Sequence, residues 1–192
     1  MTNIRNIRIE TLAKTWSKLE KYTYEFQRPD GMWEEQVRES YNRGDGVTVL
    51  LYNLEKKKVL LTKQFRLPTY INGNQDGMLI ETCAGKLAKD EDPLKGILRE
   101  IEEETGHRLK EASKVFEVYM SPGSVTEMIH FYLARYSDET KVSSGGGLAE
   151  EQENISLLEI SLPDALQKIT NGEIRDGKTI MLLQYAALNQ IF

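Results

Sequence analysis

The chain of 192 residues is poor in the groups that most often mark a site. It has one cysteine, Cys83, which excludes an intramolecular disulfide and suits a reducing cytoplasm. The residues around Cys83 read as a buried strand, so its thiol is expected to be structural. Two histidines, His107 and His130, cannot make a histidine-rich zinc site. No apolar run reaches the length of a membrane span and no secretory leader is visible, so a membrane is not an expected partner and the cytoplasm is the expected location. Basic residues gather only at Lys56-Lys57-Lys58, which reads as a solvated hairpin turn. With a net charge of −5, a nucleic-acid polymer is not an expected partner either. The hydrophobic content of 40% still suffices for a sizeable core in one domain with a small extension.

Carboxylates are abundant in one place. The stretch 85–107, GKLAKDEDPLKGILREIEEETGH, gathers Glu91, Arg99, Glu100, Glu103 and Glu104 into one loop and one short helix. Asp92 suits the N-cap, Pro93 the first helical position and Gly106 a left-handed C-cap. Leu94, Ile97, Leu98 and Ile101 recur at helical spacing and are expected to form the buried stripe. Glu100, Glu103 and Glu104 fall on a neighbouring face, and Glu102 points to solvent. Like charges three and four residues apart cost a helix roughly 0.2–0.5 kcal/mol per pair when nothing neutralises them. A solvated acidic face is one reading. A hard divalent cation, which takes oxygen ligands and is commonly shared with a substrate phosphate, is the other and the preferred one.

The same stretch resembles the Nudix box, Gly-x5-Glu-x7-Arg-Glu-U-x-Glu-Glu-x-Gly-U, with U a bulky apolar residue. Gly85, Glu91, Arg99, Glu100, Ile101, Glu103, Glu104 and Gly106 fill its fixed positions, and His107 alone departs, in the last U slot, which is a packing position. The resemblance implies an α/β fold: a Nudix α/β/α sandwich with a mixed sheet, occupying 44–192. It implies a pyrophosphohydrolase that uses Mg²⁺, with Mn²⁺ as a possible substitute. Within the family, Ser121-Pro122-Gly123 with Glu127, Arg66 in Gln64-Phe65-Arg66, the lead-in Glu81-x-x-Ala84-Gly85 and the acidic run 148–153 resemble the ADP-ribose pyrophosphatase branch. Tyr41-Asn42-Arg43-Gly44, Asn72-Gly73-Asn74, Gly145-Gly146-Gly147 and Ile174-Arg175-Asp176-Gly177-Lys178-Thr179 make it most similar to the bacterial GDP-mannose hydrolases of that branch. This implies a nucleotide-sugar substrate, hydrolysis of GDP-mannose to GMP and mannose 1-phosphate, and a homodimer whose N-terminal β extension, 1–43, crosses to the partner. ADP-ribose or another nucleotide sugar is the alternative substrate. A non-catalytic nucleotide-sugar sensor is the alternative of a different class, against which the intact box glutamates count.

The resemblance also suggests roles. Glu100, Glu104, the Ala84 carbonyl and Glu153 are expected to hold the metal. Glu103 binds a metal or its water, and Arg99 orients a box carboxylate. Glu91 holds the loop. Glu151 is the candidate general base, with Glu150 and Glu153 as rivals. Arg66 is expected to grip the diphosphate, unless it is an ordinary ion pair. Arg38, Glu39, Glu127 and Lys178 match substrate positions, though Lys178 could instead cap a turn. Trp16 could stack on the base, but core or dimer interface is preferred.

Elsewhere, strands are expected within 3–28 and at 46–52, 59–64, 78–83, 114–118, 128–136 and 155–159, with helices at 163–170 and 178–189. A turn is expected at 28–31. The polar segment 137–147, ending in three glycines, is expected to be a mobile loop.

Overall fold

A computed structural model describes residues 3–192, except for the side chain of Glu151. The chain forms two compact units. One takes in the chain through Asp45 together with Tyr119–Met128; the other comprises Gly46–Val118 and Ile129–Phe192.

The first unit is an antiparallel sheet of β1 (Ile4–Lys14), β2 (Lys18–Gln27) and β3 (Trp33–Asn42), in that order. The turn at 28–31 is present: the Gly31 N–H donates to the Arg28 carbonyl at 2.9 Å. The strand β3, which the sequence reading did not single out, is amphipathic only in part and carries Arg38 and Glu39 exposed. Trp16, in the turn between β1 and β2, is 87% exposed, so it is not a core residue of the chain. The segment after residue 119 closes on β3: the Tyr41 N–H donates to the Ser124 carbonyl at 2.8 Å, and the Thr126 N–H to the Tyr41 carbonyl at 3.1 Å.

The second unit is built on a seven-stranded sheet. Its strands are β4 (Gly46–Asn53), β5 (Lys58–Phe65), β6 (Met78–Glu81), β7 (Cys83–Lys86), β8 (Ser113–Tyr119), β9 (Met128–Arg135) and β10 (Ser156–Ser161). The order is β10-β5-β4-β9-β8, with β6 on β5 and β7 on β4. The β4–β9 pair is parallel and the β4–β5 pair antiparallel, so the sheet is mixed, as expected. Lys56 and Lys57 occupy the β4–β5 turn.

Alternation along β4 gives the sheet two buried faces. Val47, Val49 and Leu51 meet Ile97 and Ile101 of helix α2 (Pro93–Glu100) and the turn that continues it. Thr48 points the other way: its hydroxyl meets that of Thr82 at 2.8 Å, and the Thr82 N–H donates at 2.7 Å to Thr179 of helix α4 (Gly177–Leu188). Helix α3 (Leu162–Thr170) packs with α4 and β10. The result is the expected α/β/α layering. A fourth helix, α1 in chain order (Leu67–Ile71), follows β5 and has no counterpart in the sequence reading.

The expected strand at 78–83 is two short strands that change partner at Thr82. Consequently Gly85 lies in a strand opposite Val47, not in a loop. The break follows from Thr82 giving its N–H to Thr179 instead of to a neighbouring strand. No helix among the described residues is long and apolar enough to cross a membrane.

Candidate active site

The box helix starts as its sequence dictates. Asp92 accepts from the Lys95 N–H at 3.1 Å, and Pro93 follows. From Ile101 to Thr105 the helix widens into a π turn, and it ends at Gly106 with φ +72°. Leu94 is 37% exposed, contrary to the expected stripe, and Gly96 is buried in its stead against Leu87. The helix therefore buries Gly96, Ile97, Glu100, Ile101 and Glu104, with Leu98 packed partly buried against the core as expected. His107 is buried with its ring centre 4.8 Å from that of Tyr136, and its Nδ1 meets Thr140 Oγ1 at 2.8 Å, so the last box slot is a packing position.

Two of the expected metal ligands are buried carboxylates. Burial pushes Glu104 up to about 8, with Glu100 and Glu153 adding repulsion. The Ala84 N–H donates to its Oε2 at 3.2 Å. Burial likewise pushes Glu100 up to about 7, against the pull of Arg99. The Glu100 carboxylate lies on Gly85, where a Cβ would collide with it. Glu153 stands near enough to repel both, and its own Oε2 accepts from the Leu148 N–H at 3.0 Å. Among the described residues no three such side chains stand close enough to hold an ion as they are. Glu100 is paired with Arg99, at 2.8 Å. The residues nonetheless fit a divalent cation: Glu100 and Glu104 are hard oxygen donors, both buried and near enough for each to feel the other's charge.

Arg99 bridges Glu91 at 3.4 Å, Glu100 at 2.8 Å and Glu103 at 2.9 Å. Glu91 also accepts from the Ala88 N–H at 2.8 Å, the main reason its carboxyl stays below its usual range. The side chain of Glu151, the candidate base, lies outside the described residues; Glu150 is exposed.

Arg66 and Lys178 meet at a residue whose role the sequence reading missed. Arg66 Nε pairs with Glu81 at 2.7 Å, and Lys178 Nζ with Glu81 at 3.4 Å and Asp176 at 2.6 Å. Glu81 is buried. Burial opposes the charge of Arg66, but Glu81, Glu104 and Asp176 outweigh it and hold its pKa above the ordinary value. Lys178 is raised in the same way, burial being overcome by Asp176 and Glu81. The signal was legible: one carboxylate in the apolar run Met78-Leu79-Ile80-Glu81 needs a partner. In the other unit Glu127 pairs with Arg43 at 3.3 Å, while Arg38 donates within its own strand, to the Val37 carbonyl at 2.8 Å and Gln36 at 3.4 Å.

A NUDIX domain model matches residues 42–182, most of the chain. The chain belongs to the Nudix family. Ahead of it, residues 3–41 match a model described as the GDP-mannose pyrophosphatase NudK N-terminal domain. This Nudix protein is 51% identical over 186 residues to a protein of Yersinia enterocolitica, covering 97% of this chain and 96% of that one. It is 51% identical over 183 residues to one of Klebsiella pneumoniae, covering 95% and 91%. It is 48% identical over 186 residues to one of Yersinia pestis, covering 97% and 92%. Each of the three is named GDP-mannose pyrophosphatase. Nudix hydrolases generally use divalent cations, which agrees with the buried Glu100 and Glu104.

Proposed function

We propose that this Nudix hydrolase cleaves GDP-mannose to GMP and mannose 1-phosphate in the presence of Mg²⁺. The observation that carries the reading is the reach of the similarity: relatives of that name align over nearly the whole chain, the N-terminal sheet included. Glu100, Glu104, Glu153 and the Ala84 carbonyl would hold the metal. When bound, it neutralises charge on the diphosphate and lowers the pKa of the attacking water. Arg99 keeps Glu100 and Glu103 oriented through its shared guanidinium. Arg66 and Lys178 hold the diphosphate from the Glu81 side, a guanidinium being suited to bidentate phosphate contact. Glu151 takes the proton of the water, with Glu150 and Glu153 as the other carboxylates of the same loop. Arg38, Glu39 and Glu127 complete the contacts to the nucleotide sugar. The protein acts in the cytoplasm as a homodimer formed through the N-terminal strands.

The test is product analysis by phosphorus NMR in ¹⁸O-labelled water with Mg²⁺, offering GDP-mannose and ADP-ribose in parallel. Preferential release of GMP and mannose 1-phosphate is the expected result, and the label identifies the phosphorus attacked. Preferential turnover of ADP-ribose would keep the reaction class and overturn the substrate.

A further inference from the structure

A helix leaves its last four carbonyls without partners inside the helix. At the end of the box helix these belong to Glu103, Glu104, Thr105 and Gly106, and all of them accept from the single stretch 141–147. The Gly147 N–H donates to Glu103 at 3.1 Å, the Gly146 N–H to Glu104 at 2.8 Å, and the Val142 N–H to Gly106 at 2.8 Å. The Thr105 carbonyl takes the Lys141 ammonium at 2.6 Å, which sets a cation at the negative pole of the helix. Residues 141–147 of the segment expected to be a mobile loop are thus bonded to the end of the box helix.

The same residues hold the acidic loop. The Gly146 carbonyl accepts from the Ile155 N–H at 3.1 Å, the Glu153 N–H donates to the Leu148 carbonyl at 3.2 Å, and the Leu148 N–H donates to the Glu153 carboxylate at 3.0 Å. Gly146 therefore links the backbone of Glu104 to that of Ile155, two residues past Glu153. Side chains are excluded where the contact is closest. A Cβ at Gly145 would stand 2.5 Å from the Glu104 carbonyl, and one at Gly147 would run into the Glu153 side chain. All three glycines have left-handed φ, +69°, +109° and +83°.

We propose that Lys141 is a positioning residue for the metal site: with Gly145, Gly146 and Gly147 it clamps the acidic loop to the box helix and so fixes Glu153 relative to Glu100 and Glu104. The proposal rests on the reading of Glu153 as a metal ligand. Lys141 is the only side chain among these donors, and it can be changed without touching any proposed ligand.

The experiment measures Mn²⁺ binding to the full chain by electron paramagnetic resonance, and amide hydrogen exchange at Gly146 and Gly147 in the metal-free protein. The variants are Lys141→Met, Lys141→Arg, Glu153→Gln and the double variant Lys141→Met/Glu153→Gln. Losing a charged hydrogen bond should weaken Mn²⁺ binding about tenfold in Lys141→Met and speed exchange at both glycines. Lys141→Arg should restore most of both. In the Glu153→Gln background Lys141→Met should cost no further affinity, because its effect runs through Glu153. Equal losses in both backgrounds would make Lys141 a general helix stabiliser and overturn the proposal, as would wild-type binding and exchange in Lys141→Met. If Glu153→Gln alone binds Mn²⁺ like the wild type, the ligand reading fails; the exchange rates in Lys141→Met then decide the clamp. Lys141→Gln replaces Lys141→Met if the latter does not fold by circular dichroism.

Discussion

At the scale of single residues, burial sets Glu100 and Glu104 apart from Glu102. Glu102 pairs with Arg108 at 2.6 Å near solvent, as its place on the helix predicts. Glu104 is buried beside Cys83 and Ala84. Glu104→Gln keeps the shape and removes the charge. A metal supplies several kcal/mol of transition-state stabilisation. Turnover should therefore fall at least about a hundredfold, at ~1.36 kcal/mol per tenfold. A chain that merely sensed nucleotide sugars would show unchanged binding of GDP-mannose by calorimetry and no turnover in the parent either. Glu81 makes a different prediction, one of stability. Removing one partner of a buried ion pair costs about 3–5 kcal/mol. The lower end applies here because Arg66 is 39% exposed. Glu81→Gln should lower the melting temperature by roughly 6–12 °C. A change under about 2 °C by calorimetry would show that the network is decorative.

At the scale of elements, the box helix shows what periodicity can and cannot reveal. Its caps, Asp92 and Gly106, were legible because capping is local chemistry. Its buried face was legible in part: Ile97 and Ile101 lie in the core and Leu98 packs against it. Leu94 is left outside, and Glu100 and Glu104 are carried in. Hydrophobicity cannot announce a face that contains two carboxylates. Within the polar segment 137–147 glycines signal freedom in sequence, yet Gly145 is also needed for close approach to the Glu104 backbone. The buried pair also sets a pH dependence. Both carboxyls stand above the ordinary 4.5 when folded, at about 7 and about 8. Their contribution to the stability of the metal-free protein is therefore full below pH 4.5 and lost as pH rises through 7 and 8. With a chelator present, the wild type should lose melting temperature over this range relative to Glu104→Gln. Saturating Mg²⁺ should abolish that relative loss. A pH-independent difference between the two proteins would mean that Glu104 is not held protonated by its surroundings.

At the scale of the whole molecule, the sandwich was legible because the box fixes one layer and the strand patterns fix the sheet. The joining of the 119–128 segment to the N-terminal strands was not, since it depends on contacts such as Tyr41 with Ser124 that no local pattern encodes. The N-terminal sheet itself poses the remaining question. The strand β1 is exposed along its whole length, and Ile4, Ile7, Ile9 and Leu12 lie open on it. An uncovered edge strand bearing isoleucines is a template for pairing, and single chains commonly blunt such edges. Cover by a second copy of the same chain, the arrangement proposed above, would satisfy both the strand and the apolar side chains. Burying an isoleucine at such an interface contributes about 1.5–3 kcal/mol, so replacing it with a charge should weaken self-association at least about tenfold. Sedimentation equilibrium of the wild type should give a dimer. Ile9→Glu, on a strand whose fold does not depend on that side chain at 59% exposure, should shift the equilibrium toward monomer without changing the circular dichroism spectrum. A wild type that sediments as a monomer at all accessible concentrations would remove the dimer from the proposed function and leave β1 without an explanation for its apolar surface.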